Sequence, residues 1–272
     1  MNGKRFAAAL AALALCLASL AGCAQEKPQV TDMGGDLLAA IQAKGEMVVA
    51  MEGTWAPWTY HDESDALVGY DVEVAQAIGE KLGVDVSFVE GEWSGLLAGL
   101  DSGRYDIMVN GVDVDEERQK KDDFSTPYAY NRTVVIVRAD DDSIQAMEDL
   151  AGKKTANTLN STYAAVGEAY GAQVTGVDDF IQTIELLVSG RIDATLNAEV
   201  SYYDYLNAHP EAQVKIACVD SQTTQVAIPM RKGEETAALR QAIDEALSEL
   251  AQEGTLSELS VKYFGTDISQ NE

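Results

Sequence analysis

Apolar residues fall into short runs that alternate between two periods. EMVVAM (46–51), VDVSFV (84–89), DIMV (106–109), KTAN (154–157), AQVTGV (172–177) and DATL (193–196) read as short strands. Between them apolar positions return every three or four residues. That spacing predicts amphipathic helices from about Asp71 to Leu82, closed by Gly83, and from about Glu92, Ser161 and Asp179. Another runs from about Glu199 to Asn207, before Pro210. After TQVAIPM come two more, about Glu234 to Gln252 and Thr255 to Tyr263. Strands alternating with helices of this length argue for an α/β fold of βαβ units with mostly parallel sheets.

A nine-residue echo divides the chain. SGRYDIMVN (102–110) and SGRIDATLN (189–197) share Ser, Gly, Arg, Asp and Asn in register, and each follows an apolar helical stretch. Each reads as a helix C-terminus with its glycine, a tight turn and a short buried strand ending at an Asn. Ligands of open α/β sheets sit beyond the carboxyl ends of the strands. Two related Rossmann-like lobes facing each other would put Asn110 and Asn197 on opposite walls of one cleft. The last two helices have no strands of their own, so they are expected to return to the first lobe. The chain then crosses twice, near Ala129 to Arg132 and near Thr223 to Ala227, and two short crossings make a hinge. This gives lobe 1 as residues 36–130 plus 227–268 and lobe 2 as 131–226.

The N-terminus changes where such a protein is expected to live. Lys4 and Arg5 precede an apolar run from Phe6 to Leu20, too short and wrongly flanked for a stable membrane span. Leu20, Ala21, Gly22 and Cys23 resemble a bacterial lipobox. On that reading residues 1–22 are a lipoprotein signal peptide and Cys23 takes the lipid, whereas a plain secreted protein is the alternative. Residues 23–35, polar with Pro28 and Gly34-Gly35, then form a flexible tether. Cys16 would leave with the signal. Only Cys218, in the strand-like VKIACV, would remain, so no internal disulfide is expected and Cys218 reads as a small buried hydrophobe.

Charge and motif searches narrow the chemistry. The formal net charge is −26, and removing Lys4 and Arg5 takes the 19 basic residues to 17 against 45 acidic, a net of −28. Nucleic acid and anionic lipid are poor partners for that surface. The two histidines, His61 and His209, are far apart and give no metal-ligand cluster with one spare cysteine. No GxSxG elbow and no GxxxxGK[ST] is present, and no cofactor motif is found. Acidic runs at Asp62 to Asp65 and Asp140 to Asp142 look like solvated turns.

Ordered motifs then identify a resemblance. MEGTWAPWTY, LVGYDVEVAQAIGEKLG, the stretch from Gly95 to Gly111, ERQKKDDFSTPY, DLAGKK, SGRIDATLN and KYFGTDIS are similar in wording, order and spacing to the family 3 solute-binding proteins, the amino-acid receptors of bacterial ABC importers. The resemblance covers nearly all of residues 36–268. It implies a periplasmic-binding-protein type II fold, a monomer that clamps a small-molecule ligand, an amino acid or close analogue, between its lobes. The ligand would pass to a separate ABC permease and its ATPase, with the membrane reached only through the lipid anchor.

The same resemblance assigns ligand roles. Arg118 matches the arginine that grips the α-carboxylate, since a guanidinium fork fits a carboxylate bidentately. Trp55 and Trp93 match walls around the ligand side chain, with Trp58 packing beneath. Asn110 and Gly111 match backbone groups that meet the ligand's ammonium and carboxylate. Ser161 and Thr162 open a helix whose N-terminus suits an anion, or Ser161 merely caps it. Glu52 matches an acid offered to the distal end of some ligands, or is a surface carboxylate. Two departures stand out. Where many relatives carry an aspartate for the ammonium this chain has Ala198, and where a small hydroxyl residue is usual it has Asp113. Asp113 either replaces the missing anchor, opposes the ligand carboxylate, or caps the following short helix in a box with Glu116. A ligand lacking a free ammonium and an enzyme like the cyclohexadienyl dehydratases, which share this fold, are the other readings. A sensing lipoprotein without transport is a further one.

Overall fold

The computed structural model describes residues 35–271. The segments expected to be a signal peptide, a lipobox with Cys23 and nearly all of a tether lie outside the described residues.

The first sheet is parallel, in the order β5 (Asp85–Glu90), β1 (Glu46–Met51), β6 (Ile107–Met108). Helices cover both faces, so Met47, Val49, Ala50 and Met51 are all fully buried and β1 reads as a continuous apolar run without alternation. The helix Tyr70–Leu82 ends on Gly83 in the left-handed region, φ 71°. The last two helices, Glu234–Glu253 and Thr255–Phe264, lie against it. Lys81 Nζ reaches Glu253 Oε1 at 2.6 Å and Lys262 Nζ reaches Glu73 Oε1 at 2.6 Å. Their apolar faces bury Leu239, Ile243, Leu247, Leu250 and Leu256 in the core of this lobe.

The second sheet departs from the parallel expectation. Strand β9 (Lys154–Thr158) pairs in parallel with β10 (Gln173–Val177), but β8 (Ala129–Arg138) runs antiparallel to both β11 (Thr195–Ala198) and β12 (Val214–Val226). The reason lies in the crossings. The segment expected as a connector at Ala129 begins a ten-residue strand, and VKIACV belongs to a thirteen-residue strand that returns beside it. The two are paired where the chain changes lobe, Thr223 opposite Arg132 through Val226 opposite Ala129. Ladder bonds thus tie the two hinge crossings into one ribbon. A small antiparallel sheet, β2 (Thr54–Trp55), β3 (Thr59–His61) and β4 (Leu67–Val68), was not legible, because strands of two or three residues show no period. It carries Trp55 to the rim of the cleft and anchors the turn holding Trp58.

The echo is a shared scaffold. The helices Trp93–Asp101 and Phe180–Val188 end on Ser102 and Ser189, followed by Gly103 and Gly190, both at φ 71°. Each serine hydroxyl donates to a carbonyl three residues back, at 3.1 Å in both. Asp106 and Asp193 each accept from a strand amide, Val48 at 2.7 Å and Lys154 at 2.9 Å. Ser, Gly and Asp therefore recur because the same turn is built twice and braced to the same point of each sheet.

Candidate functional site

A cavity opens where the carboxyl ends of the two sheets face each other. Glu52, Thr54, Trp55, Trp93, Gly111, Asp113 and Arg118 line it from the first lobe. Thr158, Ser161, Thr162, Tyr163, Asp179, Phe180 and Asn197 line it from the second. Nine of the sequence-predicted residues meet there, Glu52, Trp55, Trp93, Gly111, Asp113, Arg118, Ser161, Thr162 and Asn197. Asn110 and Ala198 do not. Asn110 is fully buried behind the wall, where its Oδ1 accepts from Glu52 N (2.7 Å) and its Nδ2 donates to Glu52 Oε2 (2.7 Å). The pairing of Asn110 and Asn197 as opposite walls is corrected accordingly, since only Asn197 faces the cavity. Ala198 is buried, and its backbone N–H donates to Asn197 Oδ1 at 2.8 Å.

Glu52 sits just past the end of β1, mostly buried and hydrogen-bonded only to Asn110 through its side chain. Burial pushes its carboxyl up to about 7; the Asn110 amide opposes this, and the negative charges of Glu92 and Asp179 add to it. Trp55 stacks on Trp58 with ring centroids 5.5 Å apart, meets the edge of Tyr163 at 6.3 Å, and donates from Nε1 to Asn197 Oδ1 across the cleft at 3.3 Å. Trp58 is fully buried beneath it. Gly111 holds φ 53°, and a Cβ there would stand 2.7 Å from Trp55 Cζ3. Its N–H donates to the buried carboxyl of Asp71 at 2.5 Å, which also accepts from the Tyr128 hydroxyl at 2.7 Å. With no cation beside it, Asp71 is raised by burial to about 7.

Asp113 and Arg118 flank one corner of the cavity. Asp113 is 3% exposed, and Oδ1 accepts from the Thr224 hydroxyl of the hinge strand at 2.8 Å. Burial raises its carboxyl to about 6, with the Thr224 hydroxyl, the Arg118 charge and the Thr162 hydroxyl pulling the other way. It does not cap the helix Glu116–Lys121. Asp115 does, accepting from Arg118 N at 2.8 Å, because the chain is still bridged to Val226 at Asp113 and turns into the helix two residues later. Arg118 Nη1 donates to Asp113 O (2.7 Å) and Thr162 Oγ1 (3.0 Å), Nη2 donates to Asn160 O (3.2 Å), and Nε lies 3.3 Å from Asp115 Oδ2. Of five N–H groups one on Nη2 is left uncommitted. A bidentate carboxylate grip here requires exchanging one of these contacts.

The second wall is made of helix starts. Ser161 Oγ accepts from Ala164 N (3.1 Å) at the head of the helix Thr162–Ala169, and Asp179 Oδ1 accepts from Gln182 N (2.8 Å). Thr158, Tyr163, Asp179 and Phe180, with Thr54 of the first lobe, were missed by sequence reasoning. The echo held the signal for two of them. Trp93 and Phe180 each stand nine residues before the echoed serine, and Glu52 and Thr158 each stand four residues after the amide that the echoed aspartate braces. Carrying the repeat outward from its nine residues locates Phe180 and Thr158.

His61 pairs with Glu90 at 2.7 Å and His209 is exposed; neither lines the cavity. Among the described residues no group of three His, Cys, Asp or Glu is disposed to hold a metal, and no helix is long and apolar enough to cross a membrane. Cys218 is half-buried in β12, Sγ 3.8 Å from Met147 Sδ.

Comparison with known proteins places this arrangement. Residues 47–266 match the bacterial extracellular solute-binding proteins, family 3. A probable amino-acid ABC transporter-binding protein of Haemophilus influenzae is 38% identical over 87% of this chain and 91% of its own length. An L-cystine-binding protein of Bacillus subtilis is 37% identical over 95% of this chain and 97% of its own. An ancestral arginine-binding protein bound to arginine superposes with a TM-score of 0.76 at 35% identity, covering 81% of this chain and 99% of that one. The L-cystine solute receptor of Neisseria gonorrhoeae, unliganded and open, scores 0.58 at 39% identity, covering 87% and 100%. With its two-lobed α/β architecture, its hinge ribbon and these relatives, the chain belongs to the bacterial extracellular solute-binding proteins, family 3.

Proposed function

We propose that this protein captures an amino acid or a close analogue between its lobes and delivers it to an ABC permease served by a separate ATPase. The observation that carries this reading is the presence of both Arg118 and the Asp113 carboxyl at one corner of a cavity walled by Trp55, Trp93, Tyr163 and Phe180. A guanidinium beside a carboxylate complements a zwitterion, with Arg118 taking the α-carboxylate and Asp113 taking the ammonium that Ala198 cannot. The aromatic faces then enclose the side chain. Glu52 and Asp179 add two acids without a second cation. That surplus favours a ligand bearing another positive group, a property shared by the arginine and cystine named for the relatives.

Titration calorimetry with L-arginine, L-cystine, L-glutamine and N-acetylated analogues tests the reading. Saturable binding of an amino acid, strongest for those with a second cationic group, is expected. Binding only of ligands without a free ammonium would overturn the assignment of Asp113. One observation favours a second reading. Glu52, a carboxyl poised near 7 inside the cavity, has the property a general acid or base needs. An ancestral amino-acid-binding precursor of cyclohexadienyl dehydratase also superposes with a TM-score of 0.76 at 27% identity. Recovery of bound ligand intact after overnight incubation separates the receptor from such an enzyme.

We further infer that residues 1–22 are removed, that Cys23 carries lipid, and that residues 23–35 tether a monomer outside the cytoplasmic membrane. The lipobox-like Leu20-Ala21-Gly22-Cys23 supports this, and Cys23→Ser should release the protein into the medium. Division into residues 36–130 plus 227–268 and residues 131–226 is supported by the two sheets and the hinge ribbon between them.

A further inference from the structure

We propose that Asn160 is a positioning residue that clasps the second lobe onto the first from outside the ligand cavity, and so governs how long a captured ligand stays. The inference rests on the capture function proposed above. Asn160 lies between Thr158 at the end of β9 and the cap Ser161, and it is one of two described non-glycine residues with a left-handed backbone, at φ 63°. That conformation turns its carbonyl toward the first lobe, where it accepts two hydrogen bonds, from Trp93 Nε1 at 3.2 Å and from Arg118 Nη2 at 3.2 Å. Its side-chain amide donates to Ser94 Oγ at 3.2 Å. One residue therefore makes three bonds across the cleft, and two of their partners are cavity-lining side chains. The Arg118 guanidinium also lies over the Trp93 ring, 5.1 Å from its centroid, so the carbonyl holds a stacked pair in place.

Neither Asn160 nor Ser94 lines the cavity. The bond between them therefore belongs to lobe closure and not to ligand choice. Asn is among the few residues that hold the left-handed region at low cost, whereas a β-branched residue does not. The turn therefore separates two variables. Asn160→Gly keeps the backbone and the carbonyl and deletes the bond to Ser94, as does Ser94→Ala from the other side. Asn160→Val disfavours the left-handed turn and withdraws the carbonyl from Trp93 and Arg118 as well.

The test uses the full chain carrying Cys16→Ser, Cys23→Ser and Cys218→Ser with spin labels at Ser102→Cys and Ser189→Cys, one on each lobe. Distances between labels are measured in buffer and with L-arginine, and L-arginine dissociation is followed by stopped-flow tryptophan fluorescence. Each lost bond should lower the closed-to-open ratio and raise the dissociation rate about 2- to 10-fold, with Asn160→Val exceeding Asn160→Gly and Ser94→Ala. In Asn160→Gly and Ser94→Ala the order of preference among arginine, lysine and glutamine should be unchanged. Wild-type distances and dissociation rates in both Asn160→Gly and Ser94→Ala would overturn the proposal, as would a changed order of preference. If Asn160→Val does not fold, those two variants decide. If L-arginine does not bind, the amino-acid reading suffers, while the distances in buffer still decide the clasp.

Discussion

Replacing Glu52 by Gln should make this protein more stable and a poorer receptor, and both effects should grow with pH. The Glu52 carboxyl is raised from 4.5 to about 7 because it is desolvated beside Asn110 with no cation at hand. In the unfolded chain it ionises at its ordinary value. Between those limits the folded state binds the proton more tightly, so its contribution to stability is fully present below about pH 4.5 and is lost as pH rises through 7. The shift corresponds to about 3 kcal/mol at most, at 1.36 kcal/mol per pH unit. Gln keeps an acceptor for Asn110 Nδ2 and carries no charge. The variant should match the wild type near pH 4.5 and exceed it progressively to pH 8. In the difference between the two curves, the similarly raised Asp71 and Asp113 cancel. Denaturant titrations at half-unit pH intervals measure this. For a domain of this size the variant's melting temperature should gain at most about 6–12 °C at pH 8. L-Arginine affinity should fall, since the acid that meets a second cationic group is gone. Parallel pH–stability curves for the two proteins would refute the reasoning, because they would show that Glu52 ionises in the folded state as easily as in water.

Further outcomes follow from the same geometry. Asp113→Ala should abolish binding of α-amino acids in calorimetry, and an unchanged affinity would sink its role as ammonium anchor. Asp71→Ala should cost about 2–4 kcal/mol in urea denaturation, since it orphans the Gly111 N–H and the Tyr128 hydroxyl in the core. Gly111→Ala should weaken binding at least tenfold in the same titrations, because its Cβ would collide with the Trp55 ring at a backbone angle that alanine resists. The Cys218 thiol, raised above its ordinary value by burial, should label slowly with iodoacetamide at pH 7 and faster in urea.

Much of this protein was legible from local chemistry. Period and punctuation located the helices: Gly83 closes Tyr70–Leu82, Ser161 and Asp179 cap the helices they precede, and Pro210 follows the one ending at Ala208. These signals are encoded within a few residues, so a single chain displays them. The echo carried more than its nine residues, because the turn it builds is braced to the same point of each sheet. Its asparagines illustrate the limit. Asn110 and Asn197 are equivalent in sequence and close at different depths, one locked behind Glu52 and the other facing Trp55.

Apolar period, punctuation and the internal echo by themselves determined the α/β class and the two-lobed plan, and the ordered motifs carried the resemblance to the family. These depend on apolar period, turn residues and motif order, all carried along the chain. Only the tertiary structure decided that β8 and β12 form one antiparallel ribbon, that Asp115 and not Asp113 caps its helix, and that Asp179 faces the cavity. It alone divides the Arg118 contacts between its own lobe and the second. Each of those outcomes joins residues far apart in the chain or selects among neighbours of similar propensity. Which carboxylate is buried, and which amide finds a partner across the cleft, is set by packing after the local elements have formed.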